Sequence, residues 1–358
     1  MQNFTDSLLS WFENRQELYP WRGETDPYRI WLSEVMLQQT QTQTVIPYYR
    51  RWLDRFPTIK DVAEADEQEV LKMWEGLGYY SRARNFHRAC QQLLNQHEGR
   101  VPAAVDKFRK LPGVGPYIAA AVSSIAFHQP SVAIDGNVRR VVSRLESNDD
   151  PAVKMNNIID IYLKKHLPDS NPGDFNQALM DLGRSVCTAR APQCTICPVQ
   201  LWCRSYVDNV VDKYPPKKER RPKPHYNIAV GVIWKCAQIL VARRPSQGLL
   251  GGLWEFPGGK VLAGETERDA VRREVEEELG ILVEVGDRIT AIKHVYTHFS
   301  ITMAAYHCQY RSGEPQALGC SDWRWIHPNQ IGELPFPGAN HKLFPHIPNI
   351  NPLDPCAC

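Results

Sequence analysis

The feature that most constrains this chain is a group of four cysteines crowded into seventeen residues. Cys187, Cys194, Cys197 and Cys203 follow the spacing C-x6-C-x2-C-x5-C. Four thiolates so close together can surround one metal centre, and tetrahedral zinc and a four-iron cluster both accept four cysteine ligands. The uneven spacing is unlike the paired C-x2-C knuckles of zinc ribbons. Ten cysteines in 358 residues are too few for a disulfide scaffold, so the sequence predicts a metal-stabilised loop over 187–203.

The length of the chain predicts two or three domains, and the spacing pattern of its apolar residues changes once along the sequence. Residues 1–212 carry apolar side chains at three- and four-residue spacing and show no alternating strand pattern, which predicts an all-α domain. Residues 213–225 hold four prolines and six basic residues, a composition typical of an extended linker. Strand-like runs over 227–234, 238–242 and 301–306 then predict an α/β domain.

This second domain is expected to span 226–345, and a tail of 346–358 follows it. Its strand-like runs are separated by one helical pattern over 265–279, which strengthens the α/β prediction.

Charge and hydropathy exclude some classes of protein. The formal net charge is only +2, which taken alone argues against a strongly basic nucleic-acid binder. No run of about 18 apolar residues occurs, so a membrane span is not expected. The amphipathic start, MQNFTDSLLSWFENRQ, lacks the basic head and apolar run of a signal peptide. We therefore expect a cytoplasmic protein, associated with the nucleoid if it is bacterial.

A glycine-rich turn stands ahead of an isolated aspartate. The segment LPGVGPY places Gly113 and Gly115 before a helix-forming run, and Asp135 follows Tyr117 by eighteen residues. Two glycines permit close backbone approach, and a helix N-terminus offers N–H groups to a phosphate. Read alone, the turn is an ordinary helix–helix connection and Asp135 a helix N-cap.

Together with the cysteine spacing, these residues resemble the endonuclease III superfamily of DNA glycosylases. The resemblance implies an all-α helix-hairpin-helix domain whose hairpin, with Gly113 and Gly115, grips the DNA backbone. It implies that Asp135 faces the sugar of a flipped nucleotide. It also implies that Cys187, Cys194, Cys197 and Cys203 hold a [4Fe–4S] cluster.

Two further segments narrow the resemblance. Residues 31–40 (WLSEVMLQQT) and 74–82 (WEGLGYYSR) are closely similar to the adenine DNA glycosylase family, which removes adenine mispaired with 8-oxoguanine. Bifunctional members of the superfamily carry a lysine nucleophile just after the hairpin, whereas Tyr117 stands here and no lysine lies between Lys110 and Lys154. A monofunctional enzyme is therefore expected.

The resemblance assigns roles to individual residues. Glu34 is expected to protonate the leaving adenine and Asp135 to stabilise the positive charge left on the sugar. Asn137 and Tyr117 match residues that support this pocket. Three more match residues that insert into the base stack near 8-oxoguanine: Gln39, Leu77 and Tyr79. Arg22 is a candidate lining residue of the pocket, and Gln177 a candidate for ordering water.

The second domain contains a complete Nudix box, G-x5-E-x7-R-E-U-x-E-E-x-G-U, over 259–281. Glu274, Glu277 and Glu278 lie at positions i, i+3 and i+4, so they share one helix face and could bind Mg²⁺. Adenine glycosylases of this family usually carry a degraded box in a Nudix-like domain that only senses 8-oxoguanine. The intact box, and Asn340 in the segment FPGAN, resemble instead the 8-oxo-dGTP diphosphohydrolases.

Two hypotheses about this domain stay open. It either recognises 8-oxoguanine in DNA alone, or it also hydrolyses 8-oxo-dGTP. The sensing loop of the family usually reads His-x-Phe-Ser-His, and here it reads HVYTH over 294–298. Tyr296, Thr297 and His298 are therefore the expected lesion contacts.

The expected partner is double-stranded DNA with an A:8-oxoguanine or A:G mispair, bound by a monomer, with 8-oxo-dGTP as a second candidate substrate. Alternatives are an endonuclease III-like pyrimidine or thymine glycosylase, a non-catalytic mismatch-binding module, and a Nudix hydrolase tethered to DNA.

Overall fold

The first part of the chain is helical, as the spacing of its apolar side chains predicts. The computed structural model describes residues 3–15, 19–148, 152–216 and 222–353. No described residue before 225 lies in a β-strand, so the all-α prediction is confirmed. The helices are α1 (Phe4–Glu13), α2 (Pro27–Leu37), α3 (Thr42–Arg55), α4 (Ile59–Glu64), α5 (Glu67–Trp74), α6 (Ser81–Gln96), α7 (Val105–Phe108), α8 (Pro116–Phe127), α9 (Gly136–Leu145), α10 (Ala152–His166), α11 (Pro172–Ser185) and α12 (Arg204–Val207).

The later part is an α/β fold. The strands predicted over 227–234, 238–242 and 301–306 and the helix predicted over 265–279 are confirmed. A long strand over 282–295 carries no clear sequence signal, because most of its side chains are exposed or only half-buried. The elements are β1 (His225–Lys235), β2 (Gln238–Arg243), β3 (Trp254–Glu255), β4 (Gly258–Lys260), α13 (Glu267–Leu279), β5 (Leu282–Val295), β6 (Ser300–Ser312), β7 (Asp322–Ile326) and α14 (Gly338–His341).

The seven strands form one mixed sheet. Its order is β3-β2-β1-β6-β5, with β4 also paired to β1 and β7 to β2. Strands β1 and β6 run parallel through the centre, and the other pairs are antiparallel. Side chains alternate between the faces: Val230 and Val232 join a core with α14, whereas Ala229 and Ile233 join a core with α13. The Nudix box helix therefore covers one face of the sheet.

The chain divides into two compact units that do not follow chain order. The first comprises residues 1–64 and 85–220, and the second comprises 65–84 and 221–358. Helix α5 and the loop after it thus belong with the sheet, although they come before the linker in sequence. The predicted domains 1–212 and 226–345 followed chain order, and no sequence pattern marks this segment as an exception.

Hydrogen bonds hold the segment 65–84 within the second unit. They are formed by side chains that the sequence pattern would assign to the solvent-exposed face of a helix. The amide of Gln68 donates to the carbonyl of Gly252 at 3.0 Å and accepts from Nε1 of Trp254 at 2.8 Å. Glu75 accepts from the backbone N–H of Phe336 at 2.8 Å, and Arg84 donates to the carbonyl of Gly251. Both the GGLWEF segment and the FPGAN segment are therefore bonded to this piece of chain.

Parts of two predicted regions lie outside the described residues. These are residues 217–221 of the linker and 354–358 of the tail, which include Cys356 and Cys358. No helix among the described ranges is long and apolar enough to cross a membrane.

Candidate active site

Glu34 is a buried carboxyl on a helix that is itself almost completely buried. Helix α2 begins with Pro27 after an Asp26 N-cap, and every residue from Ile30 to Met36 is buried. Only 6% of Glu34 is exposed. Burial is the main cause that raises its pKa from the ordinary 4.5 to about 7, so the carboxyl holds a proton near neutrality.

Tyr117 holds this carboxyl in place. Its hydroxyl donates a hydrogen bond to Oε2 of Glu34 and lies 3.2 Å from Sδ of Met180. Tyr117 is the second residue of α8, directly after the predicted glycine hairpin. The turn requires a glycine, because Gly113 has φ +76° and a Cβ there would lie 2.7 Å from Cβ of Asn85. Gly115 is the N-cap of α8.

Asp135 is the N-cap of α9 and at the same time a wall of the Glu34 cavity. Its Oδ1 accepts from the backbone N–H of Val138 at 2.7 Å, and its Oδ2 accepts from Nδ2 of Asn137 at 2.9 Å. Burial raises the pKa of Asp135, and these hydrogen bonds act in the opposite direction. Asp135 therefore caps α9 and also lines the cavity, so the helix-cap role and the predicted site role are compatible.

The four predicted catalytic residues lie together in one cavity of about 410 Å³, a volume typical of small-molecule sites. Glu34 comes from α2, Tyr117 from α8, and Asp135 and Asn137 from the start of α9. The remaining lining residues are Tyr19, Trp21, Arg22, Leu37, Thr40, Gln41, Thr42, Gln43, Gln177, Met180, Asp181 and Arg184.

The weaker candidates Arg22 and Gln177 also line this cavity. Arg22 donates to Oε1 of Gln177 and to Oδ2 of Asp181, the latter at 2.6 Å. Arg184 donates to Oδ1 of the same Asp181 at 3.1 Å and to the hydroxyl of Tyr19. Asp181 was not anticipated, because it reads in sequence as an ordinary helix carboxylate.

The four cysteines line one pocket, together with Arg144. Arg144 is 2% exposed and donates to Sγ of Cys187 at 3.2 Å and to the carbonyl of Thr188 at 2.7 Å. Among the described residues, no three His, Cys, Asp or Glu side chains are arranged to hold a single metal ion. A four-iron cluster needs four thiolates around a larger body, and a pocket shared by all four cysteines fits that donor set.

Helix α9 joins the cysteine loop to Asp135. Arg140 donates to Oδ1 of Asn137 at 2.8 Å, to the carbonyl of Gly183 at 2.6 Å and to the carbonyl of Cys187 at 2.8 Å. Asn137 in turn bonds Asp135. Sequence reasoning missed Arg140 and Arg144, since their roles depend on residues about forty positions away.

The residues predicted to insert into the base stack differ in exposure. Gln39 is exposed, with φ +58°, in the turn after α2. Leu77 is only 5% exposed. Tyr79 has φ +48°, and its hydroxyl donates to Oγ1 of Thr297 at 2.8 Å inside the second unit. The structure thus joins one of these residues to the predicted sensing loop.

Hydrogen bonds from Arg82 stabilise the loop that carries Tyr79. The guanidinium of Arg82 donates to the carbonyls of Leu77 at 3.2 Å and Gly78 at 3.1 Å, and it lies over the ring of Tyr79. On the sensing loop, Thr297 and His298 are exposed.

Tyr296, unlike the exposed Thr297 and His298, is directed towards the protein interior. It is half-buried and stacks on Phe299, with ring centroids 4.7 Å apart. Burial raises the pKa of Tyr296 to about 12. Consecutive residues of the loop therefore have different partners. Thr297 is bonded to Tyr79, whereas Tyr296 packs against the core.

The Nudix box glutamates lie on α13 as predicted, and an arginine of the box contacts two of them. Arg273 donates to Glu274 at 2.9 Å and to Glu277 at 3.1 Å, and it forms two hydrogen bonds with Glu265. Here too, no three of the described side chains are arranged around one ion. Carboxylates are the donor type that Mg²⁺ prefers, so the residue types fit the ion, although Glu274 and Glu277 are bonded to Arg273.

Glu278 is half-buried on α13. Burial, together with the neighbouring carboxylates of Glu255 and Glu274, raises the pKa of Glu278 to about 8. Glu255 lies outside the box motif and is paired with Arg244 through contacts of 2.6 and 2.8 Å. Sequence reasoning missed this pair, because neither residue belongs to the box motif.

Asn340 is 5% exposed on α14. Its Oδ1 is buried and has no hydrogen-bond partner among the described residues. A buried carbonyl oxygen without a partner costs about 1–3 kcal/mol, which a bound donor would offset.

Comparisons with known proteins agree with this architecture. A model of the HhH-GPD superfamily of base excision DNA repair proteins matches residues 32–160, and a NUDIX domain model matches 229–346. An adenine DNA glycosylase of Rattus norvegicus is 32% identical over 404 residues, covering 95% of this chain and 77% of that protein. The chain belongs to the adenine DNA glycosylase family.

Solved structures resemble the helical part of this family member. A thermostable thymine-DNA glycosylase has a TM-score of 0.52 and 26% identity, covering 57% of this chain and 95% of its own. A trapped endonuclease III–DNA covalent intermediate has a TM-score of 0.50 and 27% identity, covering 58% of this chain and 99% of its own. The helix-hairpin-helix fold and the Nudix fold that the sequence predicts are therefore confirmed, whereas the individual site residues stay predictions.

Replacement of Glu34 by glutamine should stabilise this family member in a pH-dependent way. The folded protein keeps Glu34 protonated up to about pH 7, whereas the unfolded chain ionises it near 4.5. Ionisation of the unfolded state therefore destabilises the fold increasingly between these two values, by about 3 kcal/mol at pH 8. Urea unfolding of Glu34→Gln should show a gain of that order at pH 8 and a small one at pH 5.

The control is Glu13→Gln, at an exposed position of α1, which should give no gain at either pH. An equal gain for Glu34→Gln at both pH values would contradict the raised pKa.

Proposed function

We propose that this chain is a monofunctional glycosylase that excises adenine mispaired with 8-oxoguanine or guanine from double-stranded DNA. The observation that carries the proposal is the buried Glu34, with a pKa near 7 and a hydrogen bond from Tyr117, in one cavity with Asp135. Family membership supports adenine as the base. The absence of a lysine between Lys110 and Lys154 favours hydrolysis over a lysine-linked intermediate.

Glu34 supplies the proton that adenine needs in order to leave. Adenine is a poor leaving group as an anion, so a ring nitrogen must be protonated as the bond to the sugar breaks. The electron pair of that bond then stays on a neutral base. A carboxyl with a pKa of about 7 is a strong enough acid and is still protonated near neutral pH.

Asp135 stabilises the sugar after the bond breaks. Departure of adenine leaves positive charge on the sugar, which an ionised carboxylate in a desolvated site stabilises. The hydrogen bonds from Val138 and Asn137 favour the ionised form of Asp135. Water then adds to the sugar carbon and releases a proton. The two carboxyls thus divide the work of acid and electrostatic stabiliser.

The cysteine loop positions these groups, and the glycine hairpin contacts DNA. Cys187, Cys194, Cys197 and Cys203 would hold a [4Fe–4S] cluster, which when bound supplies a rigid frame for the loop. Arg140 connects the loop to Asn137 and hence to Asp135. We place the DNA backbone at the hairpin, where Gly113 and Gly115 precede the N-terminus of α8. The protein acts as a monomer in the cytoplasm, at the nucleoid in a bacterial cell.

The lesion is read by a surface that joins two distant segments of chain. The hydrogen bond from Tyr79 to Thr297 links the loop after α5 to the sensing loop. Gln39 and Leu77 insert near the 8-oxoguanine, and the exposed His298 contacts it from the sensing loop. Tyr296, stacked on Phe299, supports the sensing loop.

A second activity is supported by one specific observation, the buried and unpartnered Oδ1 of Asn340. An oxidised purine carries an extra ring N–H donor, so this oxygen suits its recognition. Glu274, Glu277 and Glu278 would hold Mg²⁺, which when bound neutralises phosphate charge. We therefore propose that the Nudix unit hydrolyses 8-oxo-dGTP to the monophosphate and pyrophosphate.

Adenine release from A:8-oxoguanine, A:G and T:G duplexes tests the main proposal. The full-length protein should cleave the first two and not the third, and Glu34→Gln should lose at least about 10²–10⁴-fold in rate while still binding DNA. Because Glu34 must be protonated, the single-turnover rate should fall as pH rises above 7.

Glu64→Gln, at an exposed position on α4, is the control and should leave the rate unchanged. Preferential cleavage of T:G, or persistent turnover by Glu34→Gln, would overturn the proposal. A covalent adduct trapped by borohydride would favour the lyase alternative.

Thr297→Val should weaken lesion preference. The variant keeps the side-chain shape but removes the acceptor for Tyr79, a bond worth about 1 kcal/mol. The ratio of single-turnover rates on A:8-oxoguanine and A:G duplexes should therefore fall about fivefold. Thr297→Ser keeps the hydroxyl and should retain the ratio. Equal behaviour of the two variants would exclude this role.

Incubation of the full-length protein with 8-oxo-dGTP and Mg²⁺ tests the second activity, with pyrophosphate as the readout. Glu277→Gln should lower its release at least tenfold. Glu276→Gln, the exposed neighbour outside the box glutamates, should not. Both variants should excise adenine normally. No pyrophosphate from the unmodified protein would exclude hydrolysis and leave lesion recognition as the role of this unit.

A further inference from the structure

A second cavity adjoins the Glu34 cavity inside the first unit. It measures about 340 Å³ and shares three lining residues with the first, namely Trp21, Arg22 and Gln177. Its other walls are the loop before α2, the C-terminal end of α8 and the start of α11. The residues are Gly23, Glu24, Thr25, Ile125, Ala126, His128, Asn171, Gly173 and Asp174.

The two cavities lie toward opposite ends of α8. Tyr117, the second residue of the helix, lines the first cavity, and Ala126, the eleventh, lines the second. At a rise of 1.5 Å per residue these positions are about 13 Å apart along the axis. The second cavity therefore lies behind the catalytic carboxyls, as seen from the hairpin end of α8.

The three shared residues form the partition between the cavities, and two of them are hydrogen-bonded to each other. Arg22 donates to Oε1 of Gln177, and Nε2 of Gln177 donates to Oδ1 of Asp174 at 3.4 Å on the far side. Arg22 is anchored to Asp181 at 2.6 Å, whereas Gln177 has only these two side-chain bonds among the described residues. Gln177 is therefore the movable part of the partition, because its side chain can change rotamer without movement of the backbone.

This second cavity, called the rear cavity below, opens to solvent at its outer rim. The exposed residues of the rim are Thr25, His128, Asn171 and Asp174. Its lining includes the carboxylates of Glu24 and Asp174, which accept hydrogen bonds from amino groups and repel phosphates. The lining therefore suits an uncharged base with an exocyclic amine and not a nucleotide.

During the proposed reaction the front of the catalytic cavity is occupied by DNA. The sugar lies at Asp135 and the base lies deeper, at Glu34, so the abasic strand blocks the way back. We propose that the rear cavity is the exit route of the excised adenine, which leaves past Gln177 while the abasic DNA is still bound. This inference rests on the proposed glycosylase activity and adds to it a second base-binding chamber.

The test compares bond cleavage with the appearance of free adenine in a single turnover. Excess full-length protein is mixed with an A:8-oxoguanine duplex whose mispaired adenine is radiolabelled. Quenched samples report cleavage, and filtration through a membrane that retains protein and DNA reports free adenine. In the unmodified protein free adenine should appear at the rate of cleavage, before the DNA dissociates.

Ala126→Phe fills the rear cavity, and Thr25→Trp covers its rim. Each should leave the cleavage rate within twofold and delay free adenine at least tenfold, to the rate of DNA dissociation. Gln129→Phe, an exposed position that does not line the cavity, is the matched control and should show no delay. If circular dichroism shows that Ala126→Phe is unfolded, Thr25→Trp decides, because its position is already exposed.

Free adenine that appears only with DNA dissociation in the unmodified protein would overturn the exit route. So would free adenine that keeps pace with cleavage in the folded rear-cavity variants. In both cases the proposed function stands, because cleavage is measured separately. No cleavage of any duplex would overturn the proposed function and the exit route together.

Discussion

The proposed chemistry of the first unit depends on the desolvation of one carboxyl. Glu34 lies on a helix whose neighbouring residues are all buried, and no described cation forms an ion pair with it. The hydrogen bond that the Tyr117 hydroxyl donates to Glu34 and the charge of Arg22 both favour the ionised carboxylate, but burial outweighs them. The same burial that destabilises the ionised form therefore keeps Glu34 protonated near neutral pH, as the proposed general acid must be. Stability and activity oppose each other at this position.

The orientation of Asp135 also depends on helix α9, which connects it to the cysteine loop. Asp135 caps the helix, Asn137 and Arg140 follow it, and Arg144 reaches the cysteine loop from one turn further on. Because one rigid helix carries all four residues, the position of the cysteine loop and the orientation of Asp135 are set together. The cysteine loop is thereby connected to the proposed catalytic site.

The segment 65–84 plays a comparable part in the second unit. It is bonded to the GGLWEF and FPGAN segments and, through Tyr79, to the sensing loop. A residue expected at the base stack therefore belongs to the unit expected to read the lesion. An isolated fragment beginning at the linker would lack part of its own fold.

The sequence by itself determined the local motifs: the cysteine spacing, the hairpin with Gly113, the box glutamates, the three central strands and the helical character of the first 212 residues. Each of these follows from side-chain identity and spacing within a few turns of chain. The tertiary structure decided the rest. Glu34 and Tyr117 are 83 positions apart, and Gln68 and Trp254 are 186 apart, so burial, pKa and unit membership depended on neighbours that no local pattern shows. Desolvation and long-range hydrogen bonds are properties of the folded surroundings, and they convert a recognisable motif into an acid with a defined pKa.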